Sequence, residues 1–273
     1  MGCECCGSAA TAAYPAGMTD TGLVVERLRA AGCVFAEEEA GLLADAAADA
    51  EGLESLVSRR VSGVPLEHLL GWVEFGGLRV VVEPGVFVPR RRTEFLAESA
   101  VALAGAGSVV VDLCCGAGAI AAVVAARVPG VRVFAADVDP VAVRCARRTL
   151  AGAGAEVWEG DFDAALPEKL AGRVDVLVAN VPYVPSAAVR WMPPEAREHE
   201  PLAALDGGRD GLAMVRRLLG VAPWWLGGGG RVLFEVGVSQ VDAAVAAAEA
   251  AGLVPEVRSC AERDATVVSA LSP

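Results

Sequence analysis

From Val109 onward, short apolar runs alternate with amphipathic stretches, and this alternation leaves the chain few architectures. Runs suited to buried strands fall at 109–114, 131–136, 155–158, 174–179 and 231–236. Helical patterns fill the intervals, notably 119–127, 141–150, 212–219 and 241–251. Mainly apolar strands alternating with helices point to a parallel sheet covered on both faces. Two further runs, 254–259 and 266–271, are separated by the polar residues 261–264 and read as a closing hairpin. The expected fold is α/β: a doubly wound, mostly parallel sheet of seven strands, one of them antiparallel. Ligands of such open sheets bind at the carboxyl ends of the strands.

Three of those strand ends carry what a nucleoside needs. The first runs Asp112-Leu113-Cys114 into Cys115-Gly116-Ala117-Gly118-Ala119-Ile120-Ala121. Glycine there lets backbone approach a ligand at the N-terminus of a helix. The spacing Gly116-x-Gly118-x-x-Ala121 matches a dinucleotide-binding pattern, although a tight strand-to-helix turn gives the same spacing without a ligand. The second strand ends at Asp137, about twenty residues on, where a carboxylate can accept from both ribose hydroxyls. Asp139-Pro140 reads as the cap and first turn of the next helix. The third ends Glu159-Gly160-Asp161-Phe162. Asp161 suits an exocyclic amine and Phe162 the face of a purine; a helix cap and a core aromatic are the bland alternative.

The fourth run stops at Asn180, followed by Val181-Pro182-Tyr183. Hydride chemistry on a nicotinamide leaves these residues without a role, whereas methyl transfer to a planar nitrogen uses all of them. A carboxamide nitrogen is a poor nucleophile because its lone pair is delocalised into the carbonyl. The Asn180 side-chain oxygen and the Val181 backbone carbonyl would each accept one N–H, turning the π face toward an incoming methyl. The same acceptors stabilise positive charge as it develops. Tyr183 would stack on the amide and Pro182 would stiffen the turn, so Asn180, Pro182 and Tyr183 are the candidate catalytic residues. A sulfonium donor is already activated and needs positioning more than proton transfer. The lack of a His or Glu base beside the motif fits that chemistry.

A formal charge of −12 opposes dependence on a nucleic-acid backbone, and Arg90-Arg91-Arg92 and Arg147-Arg148 read as solvated clusters. Eight cysteines and two histidines lack paired CxxC spacing, so no metal site is expected. Neither a membrane-length apolar run nor a signal-peptide core is present, which reads as a reduced, cytoplasmic protein. Residues 1–17, with Cys3, Cys5 and Cys6, read as a disordered extension, and Met18 as a candidate start. Residues 18–64 are helical in pattern and punctuated by Gly32 and Gly52. A hairpin linker with a Gly76-Gly77 turn occupies 65–93, and the α/β domain spans 94–273.

Taken together, these motifs resemble the HemK/PrmC-type protein-(glutamine-N5) methyltransferases. The likeness rests on Pro65-Leu66-Glu67-His68-Leu69-Leu70-Gly71 through Phe75, Val88-Pro89-Arg90-x-x-Thr93-Glu94 and Asp112-Leu113-x-x-Gly116-x-Gly118-Ala119-Ile120-Ala121. It continues through Ala136-Asp137, Asn180-x-Pro182-Tyr183, Glu200-Pro201-x-x-Ala204-Leu205-x-Gly207-Gly208-x-Asp210-Gly211-Leu212 and Glu235-Val236-Gly237-x-x-Gln240. The resemblance implies a class I S-adenosylmethionine-dependent methyltransferase fold, with the N-terminal helices docking a protein substrate. It implies cofactor contacts at Cys114, Cys115, Gly116, Ala117, Gly118, Asp137, Asp161, Phe162 and Asn180. Substrate contacts would fall at Asn180, Val181, Pro182 and Tyr183. The implied partner is a protein with an exposed glutamine, either the Gly-Gly-Gln loop of a peptide release factor or a ribosomal protein. The enzyme would act as a monomer, with no need of nucleic acid or membrane.

The chain departs from the family in having Cys114 where Gly is usual and Val181 where Pro is usual. Val181 keeps its carbonyl, and the Cys114 side chain is expected to point into the sheet. Two alternatives stand beside glutamine methylation. One is an amino-methyltransferase acting on a nucleic-acid base through the same Asn-x-Pro-Tyr element; the other is a cofactor-binding relative without turnover.

Overall fold

The computed structural model describes residues 21–273 and divides after Leu70 into two compact units. The extension expected over 1–17 and the start at Met18 lie outside the described residues.

The first unit contains α1 (Thr21–Ala30), α2 (Ala36–Ala46), α3 (Ala50–Val61) and α4 (Leu66–Leu70). Its core is Val24, Leu28, Ala40, Leu43, Leu53 and Val57, repeating at helical spacing. Gly52, expected to separate two helices, lies inside α3. The break falls at Asp49, whose carboxylate caps the helix by accepting the Gly52 N–H at 2.8 Å. The linker expected from residue 65 also starts later. Leu66, Leu69 and Leu70 share one helical face and pack on the core of this unit, which draws α4 into it.

The second unit opens with the hairpin β1 (Trp72–Phe75) and β2 (Leu78–Val81). Gly76 and Gly77 have φ of 60° and 83°, the left-handed pair that a two-residue hairpin turn requires. After α5 (Glu94–Leu103) come β3 (Val109–Leu113), α6 (Ala119–Arg127), β4 (Arg132–Asp137), α7 (Pro140–Thr149), β5 (Glu156–Glu159) and β6 (Val174–Ala179). Then follow α8 (Pro194–His199), α9 (Ala213–Trp225), β7 (Leu226–Glu235), α10 (Val241–Ala250), β8 (Val254–Cys260) and β9 (Ala265–Leu271). The seven-stranded sheet has the order β5-β4-β3-β6-β7-β9-β8. Only β9 runs against its neighbours, as the closing hairpin required.

Alternate residues feed two cores. Val110, Val176 and Val178 face the hairpin, α5, α6 and α7. Val111, Leu113, Leu177 and Phe234 face α9 and α10. All of β3 is buried, which explains a run that is apolar apart from Asp112. Two elements outrun their sequence signal. β7 begins at Leu226 rather than 231: Leu226 pairs with Val174 and Arg231 with Val176, and Gly227 to Gly230 fill the register shift between them with no apolar pattern to betray the strand. α9 continues through Pro223 to Trp225 because Leu218, Leu219, Ala222 and Trp225 extend its buried stripe.

The long connection from Asn180 to Leu212 holds the expected site. Val184 N–H donates to Leu205 O at 3.2 Å, and Gly207 N–H donates to Val184 O at 2.8 Å. These bonds fold the connection back over the end of β6. No described helix is long and apolar enough to cross a membrane.

Candidate active site

The carboxyl ends of β3, β4, β5 and β6 open into one cavity of about 740 Å³. Every expected site residue except Gly118 lies on its wall: Cys114 to Ala117, Asp137, Asp161, Phe162 and Asn180 to Tyr183. Gly118 sits behind the wall. A Cβ there would meet Ala146 Cα at 3.2 Å, so this glycine serves the turn (φ 78°) and the close packing of α6 on α7.

At the β3–β4 end the loop is held by carboxylates. Asp137 Oδ2 accepts the Gly116 N–H at 2.8 Å and Oδ1 accepts the Asp139 N–H at 2.9 Å. Each oxygen keeps a lone pair for a further donor, as a pair of ribose hydroxyls would need. Burial raises the Asp137 carboxyl above its ordinary range, with the backbone amides opposing. Asp139 accepts from Val141 N–H at 2.8 Å and caps α7. Asp112 is wholly buried beneath the loop. Its Oδ2 accepts the Ala121 N–H at 3.1 Å, while Oδ1 has no hydrogen-bond partner among the described residues. Burial pushes this carboxyl up to about 8, and the charge of Asp137 adds to the rise.

Two non-glycine residues of the wall adopt left-handed backbone, Cys114 at φ 55° and Phe162 at φ 58°. Such conformations cost roughly 1–2 kcal/mol each and collect at functional sites. A glycine would adopt the Cys114 backbone without that cost. Its side chain packs against the α9–α10 core while Cys115 belongs to the opposite core, so the adjacent thiols face apart. Phe162 is buried in the core shared with α9, as the bland alternative has it, and also lies on the cavity wall. Asp161 is exposed and ion-paired with Arg217 at 2.8 Å, and that guanidinium also lies 4.6 Å above the Phe162 ring. Arg217 holds the Asp161 carboxyl below the usual carboxylate range.

The Asn180 end is built differently. The Asn180 amide nitrogen makes a long contact of 3.4 Å to Thr93 Oγ1, and its carbonyl oxygen is buried with no partner among the described residues. Tyr183 is pinned at both ends. Its hydroxyl donates to Glu235 Oε1 at 2.5 Å, and its carbonyl accepts from Gln240 Nε2 at 2.9 Å. Burial and the Glu235 charge push the phenol well above its ordinary range, so it stays protonated. The sequence reading found no carboxylate beside this motif; Glu235 is one, 52 residues away in the chain. It is already engaged by Tyr183 and by Arg92 Nε at 3.0 Å.

The arginine run, expected to be solvated, contributes two wall residues. Arg90 Nη2 donates to both oxygens of buried Glu200 at 2.6 Å. Arg92 pairs with buried Glu235. Arg147 and Arg148 do lie on the surface. The glycines of the 205–212 segment have a steric cause. A Cβ on Gly207 would meet Pro182 O at 2.7 Å and Tyr183 Cα at 2.8 Å, and one on Gly211 would run into Tyr183 O and Gln240 Nε2.

Asp112, Asp137, Asp139 and Asp161 line the β3–β5 end, an acidic surface suited to a cationic nucleoside rich in hydroxyl and amine donors. Strand order, the cavity at the strand ends and this donor set define the class I, S-adenosylmethionine-dependent methyltransferase fold. Residues 77–192 match the methyltransferase small domain family. The release factor glutamine methyltransferase of Mycolicibacterium smegmatis is 44% identical over 185 residues, 67% of this chain and 65% of the relative. That of Gloeobacter violaceus is 38% identical over 197 residues, 70% of this chain and 68% of the relative. The 4-amino-L-phenylalanine/4-methylamino-L-phenylalanine methyltransferase of Streptomyces pristinaespiralis is 39% identical over 203 residues, 72% and 69% of the two chains. A methyltransferase structure from Pyrococcus furiosus shares the fold, with TM-score 0.55 at 17% identity over 72% of this chain and 89% of that one. The chain belongs to the HemK/PrmC-type family of glutamine methyltransferases. It spans about two thirds of the length of the first relatives, 65% and 66%.

Proposed function

We propose that the chain transfers a methyl group from S-adenosylmethionine to the side-chain amide nitrogen of a protein glutamine. The observation that carries this reading is the Asn180 carbonyl oxygen, buried at the cavity wall without a hydrogen bond. An orphaned buried acceptor costs about 1–3 kcal/mol, and an amide N–H of the acceptor would relieve it. Asp137 would hold the ribose, Asp161 and Phe162 the adenine. When bound, the cofactor supplies an electrophilic methyl on a sulfonium.

The chain's own residues then position the acceptor. Asn180 Oδ1 and the Val181 carbonyl accept its two N–H bonds and orient the π face of the nitrogen. As the N–C bond forms and the C–S bond breaks, the same oxygens stabilise the growing positive charge. The nitrogen afterwards releases one proton to solvent. Tyr183, fixed by Glu235 and Gln240, packs on the planar amide and excludes water, while Pro182 stiffens the turn.

The release factor glutamine methyltransferases among the relatives support a release factor as target. The Gly-Gly-Gln loop as the modified segment, the cytoplasm as place of action and a monomer as acting form belong to the same proposal. The helical unit of α1 to α4 would dock that substrate. A second reading, favoured by the Streptomyces pristinaespiralis relative, is methylation of the amine of a free aromatic amino acid.

Incubation with a recombinant release factor and isotopically labelled S-adenosylmethionine tests the proposal by peptide mass spectrometry. The label is expected on the loop glutamine. Asn180→Ala is expected to lower kcat about 100- to 1,000-fold while cofactor binding is largely kept. A wild-type rate in that variant, or a label on another residue type, refutes the reading.

A further inference from the structure

The cavity is electrically divided. Asp137, Asp139, the Arg217-paired Asp161 and the buried, proton-holding carboxyl of Asp112 line the cofactor end, whereas Arg90 and Arg92 line the wall beside Asn180 and Tyr183. The other wall carboxylate, Asp206, is occupied by Ser186 Oγ at 2.6 Å and Gly208 N–H at 2.8 Å. Arg90 is held in a bidentate contact with Glu200. Arg92 is not saturated. Its Nε pairs with Glu235 at 3.0 Å, its Cζ lies 5.6 Å from the Tyr183 ring centre, and no third described residue pairs with it. Its side chain is 44% exposed.

A guanidinium offers five donors in a planar fork; Arg92 spends one on Glu235 through Nε and one on the Tyr183 side chain, and the remaining donors of the exposed fork stay open. That fork is the geometry that matches a carboxylate. It stands over Tyr183, the ring that would stack on the acceptor, and away from Asp137 and Asp161. In a chain of net charge −12, a cation retained here against the ring is a selective feature rather than a general surface property.

We propose that Arg92 is the acceptor-side carboxylate receptor of this cavity, so that the acceptor carries a carboxylate close to the nitrogen that is methylated. The carboxylate has two sources, the α-carboxylate of a free amino acid or an acidic side chain next to the target residue of a protein loop. The inference deepens the glutamine reading and rests on it only for the identity of the nitrogen.

The test is calorimetric titration of the full chain, saturated with S-adenosylhomocysteine, with matched acid and neutral acceptors. One pair is N-acetylglutamine and its methylamide, a second is a Gly-Gly-Gln peptide followed by Asp or by Asn, and a third is 4-amino-L-phenylalanine and its amide. The acid member of at least one pair is expected to bind about 10- to 100-fold more tightly. Preference in the first or third pair identifies an α-carboxylate, and preference in the second an acidic neighbour. Arg92→Gln is expected to bring the ratio close to one. Arg92→Lys, which keeps a charge opposite Glu235, is expected to weaken the ratio in a chain that still folds. The proposal is overturned by equal binding within every wild-type pair, or by a preference that survives in Arg92→Gln. A loss confined to S-adenosylhomocysteine affinity also overturns it, because the fork would then serve the cofactor's own carboxylate. If the preference holds while no glutamine nitrogen is methylated with S-adenosylmethionine, the glutamine reading fails and this one stands.

Discussion

The two ends of the cavity are made by different kinds of folding. At the cofactor end the bonds that shape the loop are local: Asp112 reaches Ala121 across 9 residues, Asp137 reaches Asp139 across 2 and Gly116 across 21, and only the exposed Asp161–Arg217 pair spans 56. These bonds form as β3 and β4 pair and α6 and α7 start. At the acceptor end they span the chain. Arg90 meets Glu200 across 110 residues, Thr93 meets Asn180 across 87, and Tyr183 meets Glu235 and Gln240 across 52 and 57. The acceptor end therefore exists only when the whole sheet is assembled. A change in any of its segments moves the others, whereas the cofactor end can be altered one group at a time.

The sharpest way to break this comparison is Gly211→Ala, on a residue that supplies no side chain to the chemistry. Its φ is 78° and the added Cβ would run into Tyr183 O and Gln240 Nε2, both backbone-tethered. A loss of about 1–3 kcal/mol in stability is expected from overpacking, together with a fall in kcat of about 100-fold as Tyr183 shifts. Thermal denaturation and steady-state methylation measure the two. A variant that loses stability and keeps wild-type kcat would show that the acceptor end tolerates displacement. Asp137→Asn addresses the opposite end. It removes the charge under the ribose and one backbone acceptor, so the cofactor Kd is expected to rise about 10- to 100-fold with kcat at saturation little changed. Isothermal titration with S-adenosylhomocysteine reads the first, saturation kinetics the second. A matching fall in kcat would mean that the two ends are coupled.

The same contrast decides what could be read in the sequence. The sheet was legible because β3, β6 and β9 are buried along almost their whole length and so carry mainly apolar runs. β7 was legible only from Arg231, because the four glycines before it fill a register shift and carry no apolar pattern. At the cofactor end, Asp137 and Phe162 followed from strand ends and spacing. Gly118 lies off the cavity wall against α7, and a glycine that admits a ligand and one that admits a neighbouring helix look alike in sequence. At the acceptor end, Asn180 and Tyr183 could be named but not their supports. Glu235, Glu200 and Arg92 carry no local signal, since ion pairing across the chain makes an arginine run partly structural. A buried carboxylate within an apolar strand, as Glu235 is at the end of β7, was the available clue.

Asp112 supplies the mildest test, and it belongs to the local end. Burial lifts its carboxyl from an ordinary value of 3.8 to about 8, so between those values the folded state holds a proton that the unfolded state has lost. The unfolded state then binds fewer protons, and stability falls as pH rises through that window. The contribution is full below the ordinary value and gone above about 8. Asp112→Asn cannot ionise and keeps an oxygen for the Ala121 N–H. Its stability relative to wild type is expected to increase with pH, by at most about 1.4 kcal/mol per unit. Denaturant melts of both proteins at about pH 6 and about pH 7 measure the change. A constant difference would mean that Asp112 is already ionised in the fold, stabilised by a donor the local loop does not provide. The cofactor end would then depend on distant residues as the acceptor end does, and the contrast between them would narrow to one of degree.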